Sequence, residues 1–528
     1  MLLLPASSFN LSLNVVPQST IHEKIENSAI YFLNFYLPWN CVRNWCGDSK
    51  LRRLYIEVNI AERILNQATK LFYAQLLYLV VAERRMAPVE GFRVLEQSQV
   101  SPPNGSAPPA SIPLSFFDIV MLPAGPVRRI FFYDFPHPTA VVVDSVLPRL
   151  KSSLSLALQQ FYPLAGNLMC SSSPDDRSAI GCAYGDSVSF VVAECVGVDF
   201  RELSGTRAHS VAELQLLGPR LVWSGAAKPL LAVQVTVFPN HGFAVGASVP
   251  HTACDGSSYV HFMNAWASAC RTGQLGEPAP SFDRTAVPNP LQLRSINIFP
   301  GFDRCGTDES PTLASDVVSA TFCLTQDLLQ RLKRSVTAKF DERNVSLHCS
   351  TSVVTYAYAW ICLVKTFGYA GDKIAHLIFL ADYRARLQPP LPTTYFGNCI
   401  VPCFVEVKVS DLVGEDGIVV AAEAIGKAIH GLRDGAALEG VHEWGGKSHF
   451  AATQQAMTVA GSARFKVYDA DFGWGRPVKV EMLIDGAGAI SLAESRSGDG
   501  VEISLSFDRP EMDLFDRHFS DGLKRLSE

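Results

Sequence analysis

Apolar residues recur every third or fourth position from Leu147 to Tyr162, placing Leu150, Leu154, Leu158 and Phe161 on one face of a predicted helix. Tyr162-Pro163-Leu164-Ala165-Gly166 then stops it, with proline and glycine as breakers. Ser257 to Ala269 repeats the helical spacing with a stripe of Tyr259, Phe262, Met263 and Trp266. Between these helices the period changes. Leu231 to Phe238 alternates as a strand does, Pro239-Asn240-His241-Gly242 turns the chain, and Phe243 to Val249 returns as the hairpin partner. Leu114 to Met121 and Val127 to Phe135 also read as strands. Later the pattern predicts a strand from Val317 to Cys323, a helix from Gln326 to Thr337 and an apolar helix from Thr355 to Thr366. A buried strand from Ile374 to Ala381, a hairpin around Gly498-Asp499-Gly500 and a last helix from Glu511 to Leu526 complete it.

These elements divide into blocks. Residues 1–85 carry no usable motif and read as an N-terminal extension of unknown role or an artefact of gene prediction, since Met86-Ala87-Pro88 looks like an ordinary initiator. Ser101 to Pro113 is a proline-rich spacer. Pro278 to Pro311 has little periodicity and reads as a crossover between a first domain, 86–300, and a second, 301–528. At 528 residues two domains are the default, and 48% apolar against 18% charged residues suffices for large cores. Leu71 to Ala82 is apolar but bounded by Lys70 and Glu83, too short to span a bilayer.

Charge and cysteine usage narrow the chemistry. A formal charge of −6 without a block of Lys and Arg argues against nucleic acid. Thirteen cysteines without CxxC pairs suit a reducing cytosol, and Cys254, Cys399 and Cys403 read as buried thiols. No GxxxxGK[ST] loop, GxSxG elbow or metal-ligand cluster appears, so neither ATP, a serine-hydrolase triad nor zinc is implied.

One histidine stands out. His251, in His251-Thr252-Ala253-Cys254-Asp255-Gly256, follows the returning strand and precedes the helix of the second stripe. A histidine held there can serve as a base near neutral pH. Asp255 is placed to cap the helix opening at Gly256-Ser257-Ser258 and so to fix the loop. Alone, the spacing fits a structural histidine equally well.

A second box, Asp471-Phe472-Gly473-Trp474-Gly475, lies 220 residues downstream of it. In this order the pair resembles the plant BAHD family of CoA-dependent acyltransferases. Leu156 to Leu168 is similar to that family's early helix-and-turn signature, and Tyr395-Phe396-Gly397-Asn398-Cys399 and Leu114-Ser115-Phe116-Phe117-Asp118-Ile119 resemble its branch acting on anthocyanin, flavonoid and phenolic glycosides.

The resemblance implies an α/β, two-domain chloramphenicol-acetyltransferase-like fold, mixed sheets flanked by helices, with an active-site tunnel between the halves. His251 would be the general base. Asp255 would hold its loop through an arginine, and Asp471 would be structural, shaping the CoA channel. Lys333 and Arg334 would meet the CoA phosphates, or else be solvated; Ser350 and Thr351 would meet the pantetheine arm. Asn398 and Gly397 would support the oxyanion, or else form a simple turn. Arg384 and Arg386 would receive a malonyl carboxylate, unless one of them pairs with Asp255 or Asp471. Tyr259, on the helix after the histidine box, is not cationic. Acyl-CoA, malonyl-CoA first and hydroxycinnamoyl-CoA as rival, would be co-substrate to a phenolic glycoside, with no permanently bound cofactor. The implied protein is a cytoplasmic monomer; a catalytically silent binder on the same fold is the alternative. Cys254 reads as a structural thiol.

Overall fold

The computed structural model describes residues 91–526, apart from 171–176, 224–227, 277, 293–316, 433–435 and 484–487. The expected extension 1–85, the Leu71 to Ala82 run and most of the crossover lie outside the described residues. The first half supplies β1 (Phe92–Val100), α1 (Phe116–Val120), β2 (Pro126–Asp134), α2 (Leu147–Gln160), β3 (Val188–Cys195), β4 (His209–Ser210), β5 (Ala232–Phe238), β6 (Gly242–Pro250) and α3 (Gly256–Thr272). The second supplies β7 (Val317–Thr325), α4 (Gln326–Glu342), α5 (Thr351–Phe367), β8 (Ile374–Asp382), β9 (Ile400–Lys408), α6 (Gly417–His430), β10 (Met457–Gly461), β11 (Lys479–Leu483), β12 (Ala489–Glu494), β13 (Gly500–Asp508) and α7 (Arg509–Arg525).

Two mixed sheets carry the fold. One runs β1-β3-β5-β6-β2-β11 and the other β9-β8-β10-β12-β13-β7-β4. Parallel pairs β3/β5, β8/β10 and β10/β12 stand among antiparallel ones. The halves exchange strands. Late strand β11 pairs with β2 in the first sheet, and early β4 pairs with β7 in the second. A boundary near residue 300 therefore divides the sequence but not the sheets, and the described chain is one compact unit.

The helix stripes are buried where the spacing puts them. Leu150, Leu154, Leu158 and Phe161 pack with Phe262, Met263 and Trp266 in one core, and Trp266 Nε1 donates to Leu150 O at 3.2 Å. Each such side chain contributes roughly 1.5–3 kcal/mol by leaving water. A second core lies around α5 and α6, where Trp360, Leu363 and Ile425 meet the other sheet.

One element differs from expectation. Leu114 to Met121 is not a strand; its centre is the helix α1. Ser115 Oγ accepts from Asp118 N–H at 3.1 Å, and Asp118 Oδ2 accepts from Ser115 N–H at 2.9 Å. This reciprocal cap satisfies two backbone donors and starts a helix despite its β-favouring Phe-Phe and Ile-Val pairs.

The Asp471 loop packs against the first core. Phe472 sits between Tyr133 and Trp266, with ring centroids 5.7 and 4.8 Å away, and Tyr133 Oη donates to Ala470 O at 2.7 Å.

Candidate active site around His251

β6 ends at Pro250 and α3 begins at Gly256, leaving His251 in the intervening turn, half-buried. Asp255 is the N-cap of α3: its Oδ1 accepts from Ser258 N–H at 3.0 Å. Its other oxygen faces the second half of the chain. Oδ2 accepts from Cys399 N–H at 3.1 Å and pairs with Arg384 Nη1 at 2.7 Å. Arg384 Nη2 donates to Ser258 Oγ, Tyr395 O and Gly397 O at 3.1–3.2 Å. Burial opposes the Arg384 charge, but Asp255 and Asp382 outweigh it and hold the guanidinium's pKa above its ordinary value. The histidine loop is thus clamped to the loop carrying Asn398.

His251 Nδ1 lies 3.1 Å from Asn398 Oδ1. Asn398 is fully buried, and its Nδ2 donates to Asp118 Oδ1 and His251 O, both at 2.9 Å. The reverse amide orientation would set a carbonyl against the Asp118 carboxylate, so the network fixes which end faces histidine. Oδ1 can only accept, so Nδ1 carries the proton and Nε2 keeps its lone pair. Asp118 is also fully buried: it accepts from Asn398 N–H at 2.9 Å and lies 3.5 Å from Arg284 Nε. A chain of contacts therefore runs from His251 through Asn398 to Asp118 and Arg284.

This geometry gives several candidate residues the structural one of their expected roles. Both amide hydrogens of Asn398 are engaged, and Gly397 N–H donates to Ser258 Oγ at 3.2 Å, so neither points to an oxyanion. Gly397 has φ +156°, and a Cβ there would stand 2.7 Å from Arg284 Nη2; glycine permits the close approach. Arg384, engaged with Asp255, is no receiver for a donor carboxylate, and Arg386 Nη1 donates to Asp382 O at 2.6 Å. Asp471 Oδ1 accepts from Gly473 and Gly475 N–H at 2.7 and 3.0 Å, capping its own loop, and Oδ2 lies 3.8 Å from Arg271. Burial first, then Asp255 and Asp118, push the Cys254 thiol well above its usual pKa, so it is no ready nucleophile.

The CoA candidates lie on α4 and at the start of α5. Ser350 is its N-cap, accepting from Val353 N–H at 3.3 Å, and Lys333 Nζ donates to Thr351 Oγ1 at 2.7 Å. Arg334 is exposed on α4. Thr351 lines a cavity of about 240 Å³ together with Ser352, Thr355, Arg464 and Glu494. A cavity of about 330 Å³ at His376, Glu406, Lys447 and Phe450 holds none of the candidate residues. Among the described residues no cluster suited to a metal ion occurs, and no helix is long and apolar enough to cross a membrane.

Asp118, Arg284 and Ser258 were not singled out from sequence. Ser115-x-x-Asp118 is a capping-box spacing that would have marked α1, but nothing local links Asp118 to Asn398, 280 residues away.

Comparison with known proteins shows which family the chain resembles along its length. A family model described as the Transferase family matches residues 94–522. Phenolic glucoside malonyltransferase 2 of Arabidopsis thaliana is 37% identical, over 81% of this chain and 99% of that protein. A coumaroyl-CoA:anthocyanidin 3-O-glucoside-6''-O-coumaroyltransferase of the same plant is 32% identical, over 84% of this chain and 99% of that protein. Among solved structures, vinorine synthase has a TM-score of 0.61 at 22% identity, covering 80% of this chain and 96% of its own, a likeness of fold.

Proposed function

The chain belongs to the transferase family of the BAHD acyltransferases, and on that premise we propose that it transfers an acyl group, malonyl first, from acyl-CoA to a hydroxyl of a phenolic or flavonoid glucoside. The observation that carries this reading is the 3.1 Å contact from His251 Nδ1 to Asn398 Oδ1, which leaves Nε2 as a base.

In this reading the acceptor hydroxyl gives its proton to Nε2 as its oxygen attacks the thioester carbonyl. The tetrahedral intermediate collapses, the C–S bond breaks, and the imidazolium returns the proton to the CoA sulfur. Transfer is direct, within a ternary complex. Asp255 and Arg384 hold the histidine loop, Asn398 and Asp118 hold its ring, and Asp471 ties down the glycine-aromatic loop. CoA lies along Lys333, Ser350 and Thr351, with Arg334 at the edge. The halves 86–300 and 301–528 meet at a tunnel that admits donor and acceptor from opposite sides, in a cytoplasmic monomer with no permanently bound cofactor.

A hydroxycinnamoyl donor is the second reading. The coumaroyltransferase relative and the uncharged Tyr259 on α3 favour it. Incubation with malonyl-, acetyl- and p-coumaroyl-CoA against a panel of glucosides, with products identified by mass, separates the readings. An acylated glucoside supports transfer and names the donor. CoA binding without product from any pair favours a catalytically silent binder.

A further inference from the structure

The chain that follows α3 is stitched to the loop that carries Asn398. Ser281 N–H donates to Thr394 O at 2.9 Å, and Ser281 O accepts from Phe396 N–H at 2.8 Å, so Ser281 and Tyr395 form a parallel bridge. The Phe282 ring packs against Tyr162 and Phe396, each with its centroid 5.5 Å away. These contacts already anchor the segment. Arg284 adds a charge that anchoring does not require, and its side chain is only 8% exposed.

The Arg284 guanidinium faces the support of His251. Nη1 donates to Phe396 O at 2.6 Å and Phe282 O at 3.3 Å, and the group stands 5.1 Å from the Tyr395 ring centroid. Nε lies 3.5 Å from Asp118 Oδ2. Asp118 is surrounded by donors: the backbone and side-chain N–H of Asn398 on Oδ1, and Ser115 N–H with Arg284 on Oδ2. An acid proton there would face an N–H, so this environment suits the carboxylate. Burying that charge is costly unless a cation offsets it. Among the described residues Arg284 is the cation paired with Asp118, while Arg384 is engaged with Asp255. The other titratable groups that feel Asp118 are Cys254, Tyr395 and Cys399, all pushed up by burial first and so neutral.

We infer that Arg284 is a positioning residue for the proposed base: it holds Asp118 ionised, Asp118 orients the Asn398 amide, and Asn398 holds His251 with Nε2 free. The inference rests on the acyl-transfer reading, which gives the segment after α3 no part in catalysis. Without the cation, Asp118 takes up a proton, and its O–H then meets the N–H groups of Asn398. The amide loses the charge that fixes its orientation, Oδ1 is no longer held toward Nδ1, and the imidazole loses the tautomer that leaves Nε2 as base. The start of the crossover is thereby a working part of the site as well as a link between the sheets.

The test measures kcat and its pH profile, with one acyl-CoA and one glucoside that wild type uses, in wild type, Arg284→Met, Arg284→Lys and the double variant Asp118→Asn with Arg284→Met. In R284M kcat should fall at least about tenfold with both KM values within about threefold of wild type. Its acid limb should move to higher pH, because a buried carboxylate without its cation holds a proton more readily. R284K keeps the charge and should return the limb and part of kcat. A fall in kcat without movement of the limb, or no change in either, assigns Arg284 to the fold alone and overturns the inference. The double variant leaves no unpaired charge at this site and covers the case of an R284M that does not fold. Its kcat should match that of D118N alone, and a further loss of about tenfold would overturn the inference by showing that Arg284 acts apart from Asp118. If wild type turns over no acyl-CoA, the acyl-transfer reading itself fails. Turnover in wild type with unaffected variants sinks only the role of Arg284.

Discussion

Nδ1 of His251 donates to Oδ1 of Asn398 across 3.1 Å, and Asn398 can accept there only because its amide hydrogens are engaged by Asp118 and the His251 carbonyl. The ring of the proposed base is therefore held from the other half of the chain. Asn398→Ala should lower kcat by about 10- to 100-fold, and kcat with a single acceptor measures it. An unchanged kcat would mean that the ring needs no such support.

Asp118 acts one contact further out. Asp118→Asn replaces an acceptor-only carboxylate by an amide, so Asn398 loses the charge that orients it. The acid limb of the pH–rate profile should move and kcat should fall. Loss of stability without any change in the profile would assign Asp118 to the fold alone.

The pair Asp255 and Arg384 is buried on both sides at 2.7 Å. Removing one partner leaves an uncompensated charge, so Arg384→Met should destabilise by roughly 3–5 kcal/mol in denaturant unfolding. Asp255→Asn combined with Arg384→Met should recover part of that loss. Additive losses would show that the two groups act independently.

Burial first, and then the charges of Asp255 and Asp118, keep Cys254 protonated. Its pKa is raised, so the thiolate is scarce at neutral pH and gains only as pH climbs past the usual cysteine range. Cys254→Ala should keep turnover within about threefold, and intact-mass analysis after acyl-CoA alone should find no acylated protein. A stable mass increase would point to a covalent intermediate.

Lys333 Nζ donates to Oγ1 of Thr351, which lines the cavity assigned to CoA. Lys333→Ala should raise the KM for acyl-CoA roughly three- to tenfold with kcat little changed. No change in KM would return Lys333 to a solvated helix face.

Periodic spacing made the helices and the central hairpin legible, because Leu154 or Trp266 report their buried face through their neighbours three and four residues away. Leu114 to Met121 reads as a strand but folds around a helix, because a reciprocal Ser115–Asp118 cap outweighs the β-favouring pairs around it. The exchange of β4 and β11 between sheets leaves no local mark. The HxxxD spacing also recurs at His430 and Asp434, where the histidine ends α6 rather than following a strand. Context, not spacing, singled out His251. The links from Asn398 to Asp118 and from Asp118 to Arg284 join distant segments and become visible only once the chain is folded.

The most direct test of the central claim is acceptor-dependent release of CoA thiol by wild type and His251→Ala side by side, with malonyl-CoA and a phenolic glucoside. The account predicts release that needs the glucoside and falls by roughly 10²- to 10⁴-fold in the variant. Release that persists in His251→Ala would contradict the assignment of His251 as the base.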